Sequence, residues 1–152
     1  LPPLLREAPV WTLVYSLEQH GISLNTLYQL TSERDGPQLL VIRDANGGVF
    51  GAFGSDHFAV RSGYYGTGTC FLWKKLSDGE LVAYAATGKN DYLMLSEPHF
   101  IALGGGNGDF GLWIDDELYH GHSAPCDTFN NDQLSSTVEF RIVGLEVWAF
   151  EI

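Results

Sequence analysis

Asp109, Asp115, Asp116, Glu117, His120, His122 and Cys126 crowd into one stretch of the chain, GGGNGDFGLWIDDELYHGHSAPCDTF from Gly104 to Phe129. Paired carboxylates can serve as general acid and base in a hydrolase. His120 and His122 are two apart, so on a strand they face the same way, and Cys126 or Asp127 could add a third metal ligand. Cys126 could act as a redox thiol if it stood exposed beside His122. Plainer readings compete with each of these. They are a solvated acidic loop, histidines that only hydrogen-bond at the surface, and a buried, inert cysteine. The plainer readings are adopted, with no metal and no cofactor expected.

The same stretch contains motifs that fail on context. Gly106-Asn107-Gly108-Asp109-Phe110-Gly111 satisfies G-x-G-x-x-G, which binds a dinucleotide only where a strand precedes it and a helix follows. FGLWI, from Phe110 to Ile114, is aromatic and branched, which is a strand signature. Without a helix N-terminus there is no dipole to hold a pyrophosphate, and Asp109 would repel one. Asp109-Phe110-Gly111 spells the kinase metal-binding triplet, but the His-Arg-Asp loop and the lysine strand are missing. Gly121-His122-Ser123-Ala124-Pro125 misses the nucleophile elbow because proline stands where the last glycine should be. Gly104, Gly105, Gly106 and Gly108 therefore read as a tight connection between strands Phe100–Leu103 and Phe110–Ile114.

The elements that position this stretch are mostly strands. Leu1 to Pro9 reads as an extended, proline-bearing lead-in. Trp11 to Tyr15 is a strand. Ser23 can cap a helix whose apolar stripe is Leu24, Leu27, Tyr28 and Thr31. Gln38 to Ile42 is nearly all apolar and is expected to be buried on both faces. Asp44 to Gly48 is a hairpin turn, and Val49 to Phe53 returns. Asp56 to Ser62 is ambiguous. Tyr64 to Gly68 is a loop hinged on Gly66 and Gly68. Strands follow at Thr69–Leu76, Glu80–Thr87 and Tyr92–Leu95. The last strand, Glu139 to Phe150, is bent or bulged at Gly144, and Trp148 is expected in the core. Many short strands with one clear helix predict a mainly β (α+β) fold, a sandwich of two antiparallel sheets with a few short flanking helices.

A chain of 152 residues supports one domain with a substantial core. Its 18 glycines exceed the roughly 7% of average usage and argue for many turns. A net charge of −11 makes nucleic acid and anionic membranes poor partners and a basic protein surface a good one. No apolar run is long enough to cross a membrane as a helix. Cys70 and Cys126 read as two free thiols, with Cys70 a small buried apolar group. The chain begins at Leu1 with no visible signal peptide and reads as a domain cut from a longer, intracellular protein. Cytoplasm is the first expectation, with mitochondrion or nucleus as alternatives.

Several segments together resemble the TLDc domain of the oxidation-resistance proteins, in order and across essentially the whole chain. They are WTLVYSLEQHGISLNTLY from Trp11, YGTG from Tyr65, GGGNGDFGLWIDDEL from Gly104, YHGHS from Tyr119, Cys126 with Thr128-Phe129-Asn130-Asn131, and LEVWAF from Leu145. The resemblance implies a sandwich of two antiparallel sheets with short helices. It also implies protection against oxidative stress, and binding and regulation of the vacuolar-type proton-pumping ATPase. Two positions depart from the family pattern. Thr69 stands where glutamate is usual after GTG, and His122 where arginine is usual. The expected activity is that of a monomeric, non-catalytic interaction domain, with Asp109, Asp115, Asp116, Glu117, His120 and His122 as partner contacts. The alternative is an enzyme using Cys126 or the carboxylates.

Overall fold

A computed structural model describes residues 10–106 and 108–151. The lead-in Leu1–Pro9 lies outside the described residues. The elements run β1 (Val10–Ser16), α1 (Leu17–His20), α2 (Leu24–Thr31), β2 (Gln38–Asp44), β3 (Val49–Gly54), β4 (Phe71–Lys75), β5 (Leu81–Ala85), β6 (Met94–Glu97), β7 (Phe100–Leu103), β8 (Leu112–Asp115), β9 (His120–His122) and β10 (Glu139–Glu151). All pairings are antiparallel.

β10 organises the fold. Its first residues, Glu139 to Arg141, pair with β9, and its later ones, from Ile142, pair with β2 and β1. The first sheet thus runs β1-β10-β2-β3-β4-β5, and the second runs β10-β9-β8-β7-β6. The register shifts between Ile142 and Gly144, where the strand passes from one sheet to the other. An extra residue at a bulge bends a strand, as the bend expected at Gly144 requires.

The two sheets close on one core. Leu40, Ile42, Phe50 and Leu72 from the first meet Ile101, Leu103, Leu112, Ile114 and Phe140 from the second. The Phe50 and Phe140 rings meet edge to face at 4.9 Å across the seam. The helix α2 closes one end with Leu24, Leu27, Tyr28 and Thr31 buried, and Ser23 caps it by accepting from the Thr26 N–H. Tyr28 donates its hydroxyl to the carbonyls of Glu97 (2.8 Å) and Phe100 (3.0 Å), pinning α2 to the β6–β7 hairpin.

Three local expectations are corrected. β2 alternates buried and half-buried residues instead of being covered on both faces, because only the inner face meets the other sheet. The strand placed at Tyr92–Leu95 begins at Met94. Asn90 Oδ1 accepts from the Tyr92 N–H (3.1 Å) and holds those residues in a turn. Trp148 is not core. It is half-buried on the outer face of the first sheet, with its indole N–H donated to Glu146 Oε1 at 3.2 Å. Core positions alternate along β10 as Leu145, Val147 and Ala149, so Trp148 must point outward. Trp11 and Trp73 lie on that same outer face beside an apolar groove of ≈350 Å³.

Candidate functional site

The chemistry-bearing residues are gathered on the outer face of the second sheet. His122 lies opposite Trp113 on β8 and Glu139 on β10. His120 lies opposite Arg141 on β10, and its Nδ1 approaches Asp115 Oδ2 at 3.6 Å. Phe100 on β7 pairs with Asp115 on β8. Gly121, between the two histidines, faces inward over the Phe140 ring. A Cβ there would come within 2.2 Å of Phe140 Cζ, so only glycine lets β9 lie this close and turn both histidines out.

Two clusters share the face, at opposite ends of β8. At one end Asp109 Oδ1 stands 3.4 Å from His122 Nε2, and Glu139 Oε1 is 2.9 Å from His122 Nδ1. Phe110 and Trp113 flank this group, each about a ring's width from Phe100 (centroids 6.1 and 6.0 Å). At the other end Asp115 Oδ1 accepts from the backbone N–H groups of Tyr119 (2.9 Å) and His120 (3.2 Å), fixing the β8–β9 turn. In that turn Asp116 lies 3.5 Å from His99, Glu117 is exposed, and the Asp116 carbonyl accepts from Leu24 N–H at the start of α2. Among the described residues no group of three His, Cys, Asp or Glu side chains is placed to hold a metal ion.

The TLDc domain family matches residues 1–151. The chain belongs to the TLDc domain family. Oxidation resistance protein 1 of Rattus norvegicus is 44% identical over 151 residues, covering 99% of this chain and 18% of that protein. Oxidation resistance protein 1 of Homo sapiens is 44% identical over 99% of the chain and 17% of its own length. Nuclear receptor coactivator 7 of Homo sapiens is 43% identical over 99% of the chain and 16% of its own length. The chain therefore spans less than a fifth of these relatives.

In this TLDc domain the glycine segment is a backbone device. It joins β7 to β8, and a strand rather than a helix follows Phe110. Gly104 has φ +83°, and a Cβ there would meet Cys126 Sγ at 2.6 Å and the Phe129 ring at 2.9 Å. Gly66, Gly106 and Gly108 also take positive φ; Gly68 and Gly105 do not, and a Cβ would meet nothing within 4 Å at Gly68 and only ordinary contact with Tyr92, at 3.4 Å, at Gly105. The segment Cys126–Asn131 forms the brace beneath. Thr128 Oγ1 accepts from the Gly105 N–H (2.9 Å). Asn131 Oδ1 accepts from the Cys126 N–H and from its Sγ, each at 3.2 Å. Cys126 is buried, and burial pushes its thiol pKa up, partly offset by backbone N–H groups of Phe129 and Thr128. Its thiol faces the core while His122 faces outward, so the two do not form a pair. Cys70 is likewise buried, and both cysteines are free. Ser123 is buried too, donating to the Gly111 carbonyl (2.7 Å) and accepting from Leu134 N–H (2.9 Å).

Of the expected contact residues, the structure brings Asp109 to His122 and Asp115 to His120, and separates the two pairs. Glu139, Trp113, Phe110 and Arg141 complete the face and were not singled out in the sequence. Glu139 is 17 residues from His122, and only the β9–β10 register joins them.

Proposed function

We propose that this TLDc domain is a monomeric, non-catalytic protein-interaction module serving resistance to oxidative stress. It docks through the outer face of the second sheet onto a basic surface of a larger partner. That partner is the peripheral sector of the vacuolar-type proton-pumping ATPase, which the domain binds and regulates in the cytoplasm. The observation that carries the reading is the gathering of Asp109, Asp115 and Glu139 on one sheet face, with Asp116 in the adjoining turn, beside the half-buried rings of Phe110 and Trp113. A net charge of −11 adds long-range attraction to a cationic surface. The names of the relatives, an oxidation resistance protein and a nuclear receptor coactivator, support oxidative-stress and interaction roles.

The test is capture of ATPase peripheral subunits on the immobilised chain at two salt concentrations. Capture should weaken with salt, because exposed charge pairs are screened over about 8–10 Å. Replacing Asp115, Asp116 and Glu117 with lysine should abolish it. Capture indifferent to both would sink the acidic-face reading. The thiol reading requires an accessible Cys126, and its burial gives that reading no support.

A further inference from the structure

We infer that the outer edge of β5, with the apolar groove beside it, accepts one extended segment of a second protein as an added antiparallel strand. The segment carries large apolar side chains at alternate positions and basic residues at its ends. This surface belongs to the first sheet, whereas the acidic face belongs to the second, so it is a further docking site and does not rest on the reading above. β5 closes one end of the first sheet, and among the described residues it pairs with β4 alone. The backbone of Leu81–Ala85 makes no hydrogen bond beyond β4 among those residues. The other two sheet ends are treated differently. Tyr65 exchanges backbone hydrogen bonds with Met94 on β6, at 2.9 and 3.0 Å, and the Arg61 N–H reaches the Ser96 carbonyl at 3.3 Å. β1 breaks register between Leu13 and Tyr15, and a bulge twists an edge away from pairing. β5 reads LVAYA, with no charge, no proline and an unbroken register with β4. A bare edge of this kind pairs with a strand that presents its own free N–H and C=O groups.

The face beside the edge decides which side chains that strand carries. Ala83 lies opposite Trp73 and Ala85 opposite Phe71. Leu81, Ala83 and Ala85 are exposed, Leu81 at 70%. The two alanines are too short to cover the rings behind them. The groove of ≈350 Å³ runs from Ala83 over Trp73 and Phe71 to Val41 and Leu39. On a strand added beside β5, the residue opposite Ala83 points to this same face. A leucine or a ring there is long enough to lie across the alanine onto Trp73. The Trp73 indole reaches Gly51, and its N–H is buried without a hydrogen-bond partner, so no polar contact fixes that ring. A second copy of the chain is a poor occupant. Antiparallel pairing of β5 with itself about Ala83 sets alanine against alanine and leaves the groove empty. Charge selects the ends of the segment. Asp78 and Glu80 precede β5, Asp91 follows it and Asp132 meets the Tyr84 hydroxyl at 3.2 Å, outnumbering Lys74, Lys75 and Lys89. With −11 on the whole chain, a segment with basic ends is attracted and an acidic one repelled.

The experiment is hydrogen exchange read by nuclear magnetic resonance on the 152-residue chain with the capped peptide Lys-Thr-Leu-Thr-Leu-Thr-Leu-Lys. Saturating binding is expected. Exchange should slow by about tenfold or more at the β5 amides that do not bond to β4. The Trp73 indole N–H, assigned through Trp73→Phe, should shift. N-methylation of the peptide on its leucines or on its threonines blocks one backbone edge or the other, and one of the two peptides should fail to bind. Alanine in place of the leucines should weaken binding by about tenfold or more. Ala83→Trp fills the groove from the chain's own side and should do the same, its fold checked by its spectrum. No saturation, equal binding by both N-methylated peptides, undiminished binding by the alanine peptide or by Ala83→Trp, or a response confined to the Asp115–Glu117 turn overturns the inference. Outward β5 amides already protected in the free chain overturn it too, and sedimentation then tells a paired second copy from cover by the chain itself.

Discussion

Gly121 rests directly on the ring of Phe140, so close that a single methyl group would fall 2.2 Å from Cζ. Phe140 cannot yield easily, because it is buried and held edge to face against Phe50. Gly121→Ala is therefore expected to destabilise by about 1–3 kcal/mol, the usual cost of overpacking a core. Urea unfolding of the variant measures it. An unchanged midpoint would show that β9 can lift off the core.

The outward placement of Trp148 gives a graded expectation. Phe140→Ala should cost about 3–5 kcal/mol, as large-to-small core changes do. Trp148→Ala should cost about 1–2 kcal/mol, because a half-buried ring gains only part of the transfer energy. Equal losses in parallel unfolding experiments would return Trp148 to the core.

Alkaline pH should weaken the fold in a defined order. Burial raises the thiol pKa of Cys126, so the folded state holds that proton more tightly than the unfolded state does. The contribution is fully present below the unfolded thiol pKa, about 8.5, and is lost as pH climbs from there through the folded value. Tyr65 and Tyr28, also raised by burial, should extend the loss above pH ~10. Unfolding midpoints from pH 7 to 11 test this, with Cys126→Ala expected to remove the first portion. The buried thiol should also resist iodoacetamide and leave peroxide consumption negligible and equal in the native chain and Cys126→Ser. Rapid alkylation at pH 8 in the folded state would contradict it.

Asp44 supplies a further case. Its Oδ1 accepts from the backbone N–H groups of Asn46 (3.0 Å) and Gly48 (2.8 Å), and its Oδ2 accepts from the Ser135 hydroxyl (2.7 Å). It is almost wholly buried. Asp44→Ala leaves these donors unpaired and should cost about 1–3 kcal/mol. Asp44→Asn should recover part of that loss in the same unfolding assay.

What the sequence made legible was local. The helix at Leu24–Thr31, its Ser23 cap, the Asp44–Gly48 turn and the glycine connection ahead of β8 all depend on neighbours a few residues apart. Propensity and periodicity report such neighbours directly. The pairing of His120 and His122 on one face also followed from strand alternation alone. Three features escaped because they depend on register between distant strands. Glu139 meets His122 only through β10. Trp148 points outward only because Leu145, Val147 and Ala149 claim the inner side. Asp109 and Asp115 look adjacent in the sequence, yet β8 carries them to opposite ends of its length.

The double membership of β10 has a consequence for biosynthesis. Both layers need this strand, and it is the final element to be translated among those described. Until it leaves the ribosome, the earlier strands have no shared partner to lock against. Assembly of the sandwich must therefore wait for that single arrival, and a message truncated before Glu139 would yield two orphaned half-sheets rather than a smaller working unit.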